Sequence, residues 1–378
     1  MIIQSKKVWY QELFQPLQIL IKNGIIVDVF EYGSNTPDTD FEDAMIIPGL
    51  VDIHVHGYGG GDCNHATKEW LEEWVNYLPT EGVTSVLATT SSVDEDKILT
   101  SMNVIADFIQ EKNHGTQILG IYAEGPLINP EFRGAQNLDA IKKPTIEMVK
   151  KYQEAAKGNL LYCAIAPEMD ENLAATKYCK EQGIKVSIGH SNATFSQCSA
   201  AEMAGACAFI HTFNGMPSLH HRELGPVGSA MYMEDMYAEV IGDGIHVDFK
   251  AINLLARLKG KDHLILISDA VQIKGLAPGE YRMPSRHVFL GEDGVGRLPN
   301  GTIAGGTGKM NELLRNLIVE AKIPEVVAIN AATCNPLRLL GLSDDKGYIE
   351  KGYHADITVL NNDYSVCQTY VLGKTQLS

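Results

Sequence analysis

The sequence predicts an α/β chain, a (β/α)8 TIM barrel carrying a small β-sandwich domain formed by its N- and C-terminal segments. Three observations predict it. Eight short apolar runs rich in β-branched residues recur between residues 51 and 269. Amphipathic stretches of helical period separate them, each suited to covering a sheet with one apolar face. The two ends of the chain read as short strands broken by turn residues, without helical period.

Residues 1–48 contain the strands KKVWYQ, LQILIKNG and IIVDVFEYG, then a polar loop, SNTPDTDFED, that leads into MIIPGL. The eight runs follow: VDIHVH (51–56), TSVLATT (84–90), ILGIYAE (118–124), LYCAIAP (161–167), KVSIGH (185–190), CAFIHT (207–212), AEVIGD (238–243) and LILISD (264–269). Between them lie KEWLEEWVNYL, EDKILTSMNVIADFI, TIEMVKKYQEAA, ENLAATKYCKEQG and FKAINLLARLKG. Strand followed by helix, eight times, closes into a parallel barrel. Trp70 and Trp74, four apart, belong to a helix face packed on that barrel. After the eighth run come a hairpin-like insertion, EYRMPSRHVFLGEDGVGRL, and two helices around KMNELLRNLIVEA and PEVVAINAAT. The tail returns to strands in ADITVLNN and SVCQTYVLG. Neither terminal segment has a sizeable core of its own, so the two are expected to pair. The expected division is residues 1–48 and 342–378 for the β-sandwich domain and 49–341 for the barrel.

Composition narrows the function classes. The 378 residues carry 31 basic and 47 acidic side chains, a formal charge of −16, which argues against a general nucleic-acid or anionic-membrane binder. No apolar run approaches the roughly 20 residues that span a bilayer. The first residues, MIIQSKKVWYQELFQPLQIL, lack the apolar stretch and cleavage site of a secretory signal, so a cytoplasmic protein is expected. The seven cysteines are scattered without a CxxC pair and are expected to be buried, reduced thiols.

In such a barrel the C-terminal ends of the strands form the functional face. Six polar residues close five of the runs there: His54 and His56 the first, Glu124 the third, His190 the fifth, His211 the sixth and Asp269 the eighth. Two histidines two apart on a strand point to one side, so both imidazoles can reach one ion. An isolated HxH is more often a hydrogen-bonded structural pair. Several carboxylates converging beside neutral imidazoles, however, are costly to bury without a cation. Nitrogen and oxygen donors without thiolate suit Zn, Fe(II), Mn or Co, and zinc is the expected ion. The segment GGTGKMN (305–311) imitates a phosphate loop, but Ile303 stands where its first glycine belongs and Met310 replaces the hydroxyl residue.

The strings PGLVDIHVHGYGG, AEGPLINPEFRGAQN, IGHSNAT, HTFNGMP, RELG, GDGIHV, ISDAVQIKGL and KGYIEKGYHADITVLN resemble the N-acetylglucosamine-6-phosphate deacetylase family of the amidohydrolase superfamily, over nearly the whole chain. The resemblance implies that Glu124, His190 and His211 hold one divalent ion. A second would sit at His54 and His56, with Glu124 bridging and Asp269 nearby, giving one or two ions per subunit. Many superfamily members bridge two ions with a lysine of the fourth strand, which LYCAIAPE lacks. The resemblance implies a small amino-sugar phosphate as substrate and Asp269 as the group that takes a proton from water and returns it to the departing amine. An alternative role for Asp269 is to orient a histidine ligand. Asn214, Gly215 and His246 match positions near the sugar and phosphate. Gln136 stands where some members carry a histidine near the substrate carbonyl. Arg222 matches an arginine that reaches the phosphate of the neighbouring subunit's substrate, which implies a homodimer. His220 and His221 lie beside it; His65 is read as structural. Three rivals stand: the galacto epimer as substrate, a different amidohydrolase reaction, and a catalytically silent barrel that binds sugar phosphate.

Overall fold

The computed structural model describes residues 1–111, 115–282 and 287–377. Eight strands form one parallel sheet in chain order: β1 (Leu50–Val55), β2 (Val83–Thr90), β3 (Gln117–Ala123), β4 (Leu160–Ala164), β5 (Lys185–Ile188), β6 (Ala206–Phe209), β7 (Tyr237–Ile241) and β8 (Leu264–Ile267). Each falls on one of the eight apolar runs. Just beyond β8 the sheet closes on β1. The Asp269 N–H donates to His54 O at 2.9 Å and the His56 N–H donates to Ala270 O at 2.7 Å. The closing contacts therefore run through the same residues that carry the candidate chemistry.

A helix follows every strand: α1 (Lys68–Tyr77), α2 (Glu95–Gln110), α3 (Ile146–Ala155), α4 (Ala174–Glu181), α5 (Phe195–Ala204), α6 (Gly225–Tyr232), α7 (Phe249–His263) and α8 (Met310–Arg315). Threonine hydroxyls set several of their starts. Thr67 accepts from the Trp70 N–H, Thr145 from Met148, and Thr194 forms a capping box with Gln197. Helix α1 buries Leu71, Trp74 and Val75. Trp70 stacks on Trp74 at 5.2 Å and donates its indole N–H to Tyr58 O, in keeping with a packing role.

Successive strand residues face opposite ways and feed two cores. Leu264 and Leu266 join the layer between strands and helices, whereas Ile265 and Ile267 join Leu87, Tyr122, Tyr162 and Ile241 in a second cluster made of strand residues. Two more helices, α9 (Glu325–Ala332) and α10 (Cys334–Leu340), end this part of the chain. The sequence reading contains α9 but no separate helix at CNPLRLL. There α10 adds Leu337, Leu339 and Leu340 to the strand cluster, and the Asn335 amide donates to Leu264 O, at the start of β8. It thus closes the N-terminal end, leaving the opposite mouth open for chemistry.

The terminal segments share one further sheet, in the order 374–375, 366–371, 357–360, 45–48, 2–10, 13–22, 25–31, with 39–40 beside 2–10. Its two ends fold back together: Ala355 N–H donates to Gly24 O, and Ile26 and Tyr370 share one core. The result is the small β-sandwich expected. The insertion after β8 pairs Gly279–Arg282 with His287–Leu290, and Gly296–Arg297 adds a third strand; residues 283–286 of that segment lie outside the described residues. All seven cysteines are free thiols. The expectation that they are buried fails for two of them: Cys367 is exposed and Cys207, packed against the cluster of strand residues, is half-buried.

Candidate metal centre and substrate cavity

The side chains singled out at the strand ends meet at the barrel mouth. Glu124 lies one residue past β3, while His190, His211 and Asp269 each lie two residues past β5, β6 and β8. These last three share positive φ angles of 44°, 25° and 45°. Left-handed backbone at a non-glycine residue is costly and persists where the surroundings over-determine it. Here they do. Asn129 N–H holds His190 O, Thr212 N–H beside His211 holds Glu239 O, and Gly306 N–H holds Asp269 O at 2.7 Å. The glycine-rich segment that imitates a phosphate loop thus straps the Asp269 turn in place.

Glu124 sits at the centre. Its Oε1 lies 2.9 Å from His190 Nε2 and 3.0 Å from His211 Nε2, and those two nitrogens are 3.2 Å apart. His56 Nε2 is 3.3 Å from Glu124 Oε2 and 3.2 Å from Asp269 Oδ1. His54 Nε2 is 3.7 Å from Glu124 Oε1 and 3.6 Å from Asp269 Oδ1. All four rings are buried.

The far side of each ring decides what these distances mean. His190 Nδ1–H donates to Phe132 O at 2.7 Å, His56 Nδ1–H to Thr89 O at 3.1 Å, and His54 Nδ1–H to Glu239 Oε2 at 2.9 Å. A neutral imidazole that donates from Nδ1 carries a lone pair on Nε2. Three Nε2 lone pairs therefore face carboxylate oxygens, an arrangement that repels unless a proton or a cation stands between them. His54 Nε2 is buried with no hydrogen-bond partner among the described residues. Two sets of donor atoms each lie within 4.8 Å of one another, those of His54, Glu124 and His211 and those of His54, His56 and Asp269. Tetrahedral bonds of about 2.0–2.1 Å separate neighbouring ligands by roughly 3.3 Å, close to the spacings among Glu124, His190 and His211. These residues fit a divalent cation.

Without one, protons take up the tension. Burial alone would pull His56 down, yet Asp269 and Glu124 beside it hold it up at about 10. Burial would raise Asp269, yet the His56 hydrogen bond and the charge on His54 hold it at about 2. Glu124, against its burial, is held well below the usual carboxylate range by His190 and then by His211 and His56.

Above the centre opens a cavity of about 280 Å³. Of the expected substrate residues, Gln136, Asn214, Gly215 and His246 line it, together with His56, Glu124, His190, His211 and Asp269. Gln136 is locked: its Oε1 accepts from the Ser92 N–H and hydroxyl, which turns its Nε2 to donate to Glu124 Oε2 at 2.7 Å. Asn214 donates from its side chain to His211 O. A Cβ on Gly215, at φ 61°, would fall 2.6 Å from His190 Nδ1, so a side chain there would break the seat of that ring. His246 Nδ1 pairs with Asp243 at 2.6 Å; burial opposes its charge, but this partner raises it.

Arg222 is not brought to the cavity of its own chain. It is exposed on the loop before α6 and donates to His221 Nε2 at 2.8 Å, with His220 adjacent. Among the described residues no lysine or arginine lines the cavity. His65 pairs with Asp62 outside it. Sequence reading missed Glu239 and Tyr162, which lie behind His54; the segment 302–305, at the start of the glycine-rich turn after β8, walls the cavity. The one available signal for Glu239 is a charge inside the otherwise apolar strand YAEVI.

The chain is similar to known proteins over its whole length. The sequence model of the amidohydrolase family matches residues 45–375. The N-acetylglucosamine-6-phosphate deacetylase of Lysinibacillus sphaericus is 32% identical over 367 residues, covering 96% of this chain and 94% of the relative. The N-acetylgalactosamine-6-phosphate deacetylase of Escherichia coli O157:H7 is 31% identical over 357 residues, covering 94% of each. Among solved structures, a mutant N-acetyl-D-glucosamine-6-phosphate deacetylase from Mycobacterium smegmatis, in complex with N-acetyl-D-glucosamine-6-phosphate, superposes with a TM-score of 0.95. That match covers 100% of this chain and 99% of the other, at 28% identity.

Proposed function

This chain belongs to the amidohydrolase family, and from that premise we propose that it hydrolyses the acetamide of N-acetyl-D-glucosamine 6-phosphate to D-glucosamine 6-phosphate and acetate. The observation that carries the reading is the convergence of imidazole lone pairs and carboxylates on the floor of a sugar-sized cavity. Glu124, His190 and His211 would hold one ion, and His54 and His56, with Glu124 and Asp269, a second. A divalent ion there, of the Zn, Fe(II), Mn or Co type with zinc our choice, would polarise the acetamide carbonyl and lower the pKa of water toward about 7.

Asp269 takes the proton from the attacking water and returns it to the nitrogen as the C–N bond breaks. Its low proton affinity without metal and its contact with His56 support a carboxylate that is ionised at the start of the cycle. Gln136, its orientation locked by Ser92, can offer an N–H to the carbonyl oxygen but cannot titrate. Asn214 and His246 meet the sugar and its phosphate end, and Gly215 leaves room for both the ligand and the His190 ring.

A phosphate dianion in a cavity without its own lysine or arginine calls for positive charge from outside. Arg222 of a second chain supplies it in this reading, which makes the enzyme a homodimer. Residues 49–341 then form the catalytic barrel, and 1–48 with 342–378 the β-sandwich domain. No helix among the described residues is long and apolar enough to cross a membrane, and the free thiols accord with a cytoplasmic location.

The test is direct. Purified protein supplied with Zn or Fe(II) should release acetate and free amine in equal amounts from N-acetylglucosamine 6-phosphate; no release with any divalent metal would sink the reading. The galacto epimer is the second substrate to assay, since the Escherichia coli relative acts in name on that sugar.

A further inference from the structure

Glu239 stands in the middle of β7, fully buried, on a strand whose other buried residues are apolar. Its Oε2 lies 2.9 Å from His54 Nδ1, and its Oε1 accepts from the Tyr162 hydroxyl at 2.9 Å. The His211 N–H approaches the same Oε2 at 3.4 Å. Among the described residues no lysine or arginine pairs with it. A carboxylate so placed, without a basic partner, is expensive to keep.

What it does is visible by comparison with the other rings. His190 and His56 are oriented by backbone carbonyls, Phe132 O and Thr89 O, which no substitution removes. His54 is oriented by a side chain. Tyr162, packed at 4.4 Å from Tyr122, holds one oxygen of Glu239, and the other keeps the proton of His54 on Nδ1. The Nε2 lone pair is thereby committed to the side facing Asp269 and Glu124, where that nitrogen has no other partner. The first-ion trio touches Glu239 only through a weak backbone contact of His211.

We propose that Glu239 is the positioning residue that creates the second cation position: through His54 it decides whether a subunit holds one ion or two, while leaving the Glu124, His190 and His211 position intact. This rests on reading the cluster as a metal centre. Outer partners of this kind are commonly worth 10- to 100-fold in metal affinity.

The experiment counts zinc per chain by equilibrium dialysis against buffered zinc, on apo protein whose folding is checked by circular dichroism and melting temperature. Wild type should take two ions. Glu239→Gln should keep one at unchanged affinity and bind the second at least about tenfold more weakly. Tyr162→Phe should weaken the second by a smaller factor. Glu239→Gln with two ions at unchanged affinity overturns the proposal, and so does a folded variant that loses both. Wild type with a single ion also overturns it, whereas wild type with none removes the metal reading as well. Should Glu239→Gln fail to fold, Tyr162→Phe carries the test, and an unchanged second affinity there overturns the idea.

Discussion

His190 and His211 turn their Nε2 atoms toward each other across 3.2 Å, with one oxygen of Glu124 facing both. Two imidazole nitrogens and a carboxylate oxygen at such range need positive charge between them. Prolonged chelation should therefore abolish amide hydrolysis and lower the melting temperature, and Zn, Fe(II), Mn or Co should restore both. Full turnover in protein shown by elemental analysis to be metal-free would contradict the reading.

Metal binding should also respond to pH with a definite sign. His56, raised to about 10 from its ordinary 6.5, stabilises the metal-free fold fully below 6.5, and that contribution is lost as pH rises through about 10. Asp269, lowered to about 2 from 3.8, contributes above 3.8 and loses its share as pH falls through about 2. A metal must displace the His56 proton. The rise in melting temperature on adding zinc should accordingly grow as pH climbs from 6.5. A gain independent of pH would show that His56 does not exchange its proton for the ion.

Asp269→Asn keeps the shape of the side chain but removes its proton acceptor. The expected result is a fall in kcat of about 10²- to 10⁴-fold with KM little changed and the ion at Glu124, His190 and His211 retained. Steady-state kinetics with metal analysis on the same preparation decide it; unchanged kcat would remove the proton-transfer role.

Arg222→Ala should raise KM for the phosphorylated sugar about 10- to 100-fold, the worth of a hydrogen bond to a charged group, with little effect on kcat. Its placement away from its own cavity allows a sharper test. At substrate concentrations well below the raised KM, mixing Arg222→Ala chains with Asp269→Asn chains should give more activity than the two preparations show separately, because a mixed dimer contains one complete site. No recovery after verified subunit exchange would mean that Arg222 does not serve a neighbour.

Lys274 and Glu81 form a buried ion pair at 2.6 Å, and the Met310 N–H also donates to Glu81 Oε2. Lys274→Met leaves the carboxylate without its cation and should cost about 3–5 kcal/mol in urea unfolding. Adding Glu81→Gln should return much of that loss, since the amide oxygen still accepts from Met310. Equal instability in the single and double variants would place the cost in packing.

The barrel was legible because each strand is a short apolar run and helices α1 to α4 and α7 each carry an apolar stripe, signals confined to ten or so neighbouring residues. Helix α10 was not, since CNPLRLL is too short to show a period and earns its helix by docking under β8. Cys367 and Cys207 depart from the burial expected of cysteine, since residue type alone does not say how far along a strand the neighbouring elements reach. Gly215 read as a ligand contact, and the structure adds a second need for it in the 2.6 Å approach to His190 Nδ1.

By itself the sequence determined the kind of donors and the strand ends that bring them forward: His54, His56, Glu124, His190, His211 and Asp269 all stand where a strand gives way to loop. Tertiary structure alone decided which nitrogen of the His54, His56 and His190 rings faces the centre. That choice belongs to the partner of the opposite nitrogen, and the partners Thr89, Phe132 and Glu239 lie 33, 58 and 185 positions away along the chain. A tautomer is set by a hydrogen bond, and no local pattern encodes a bond between residues so far apart.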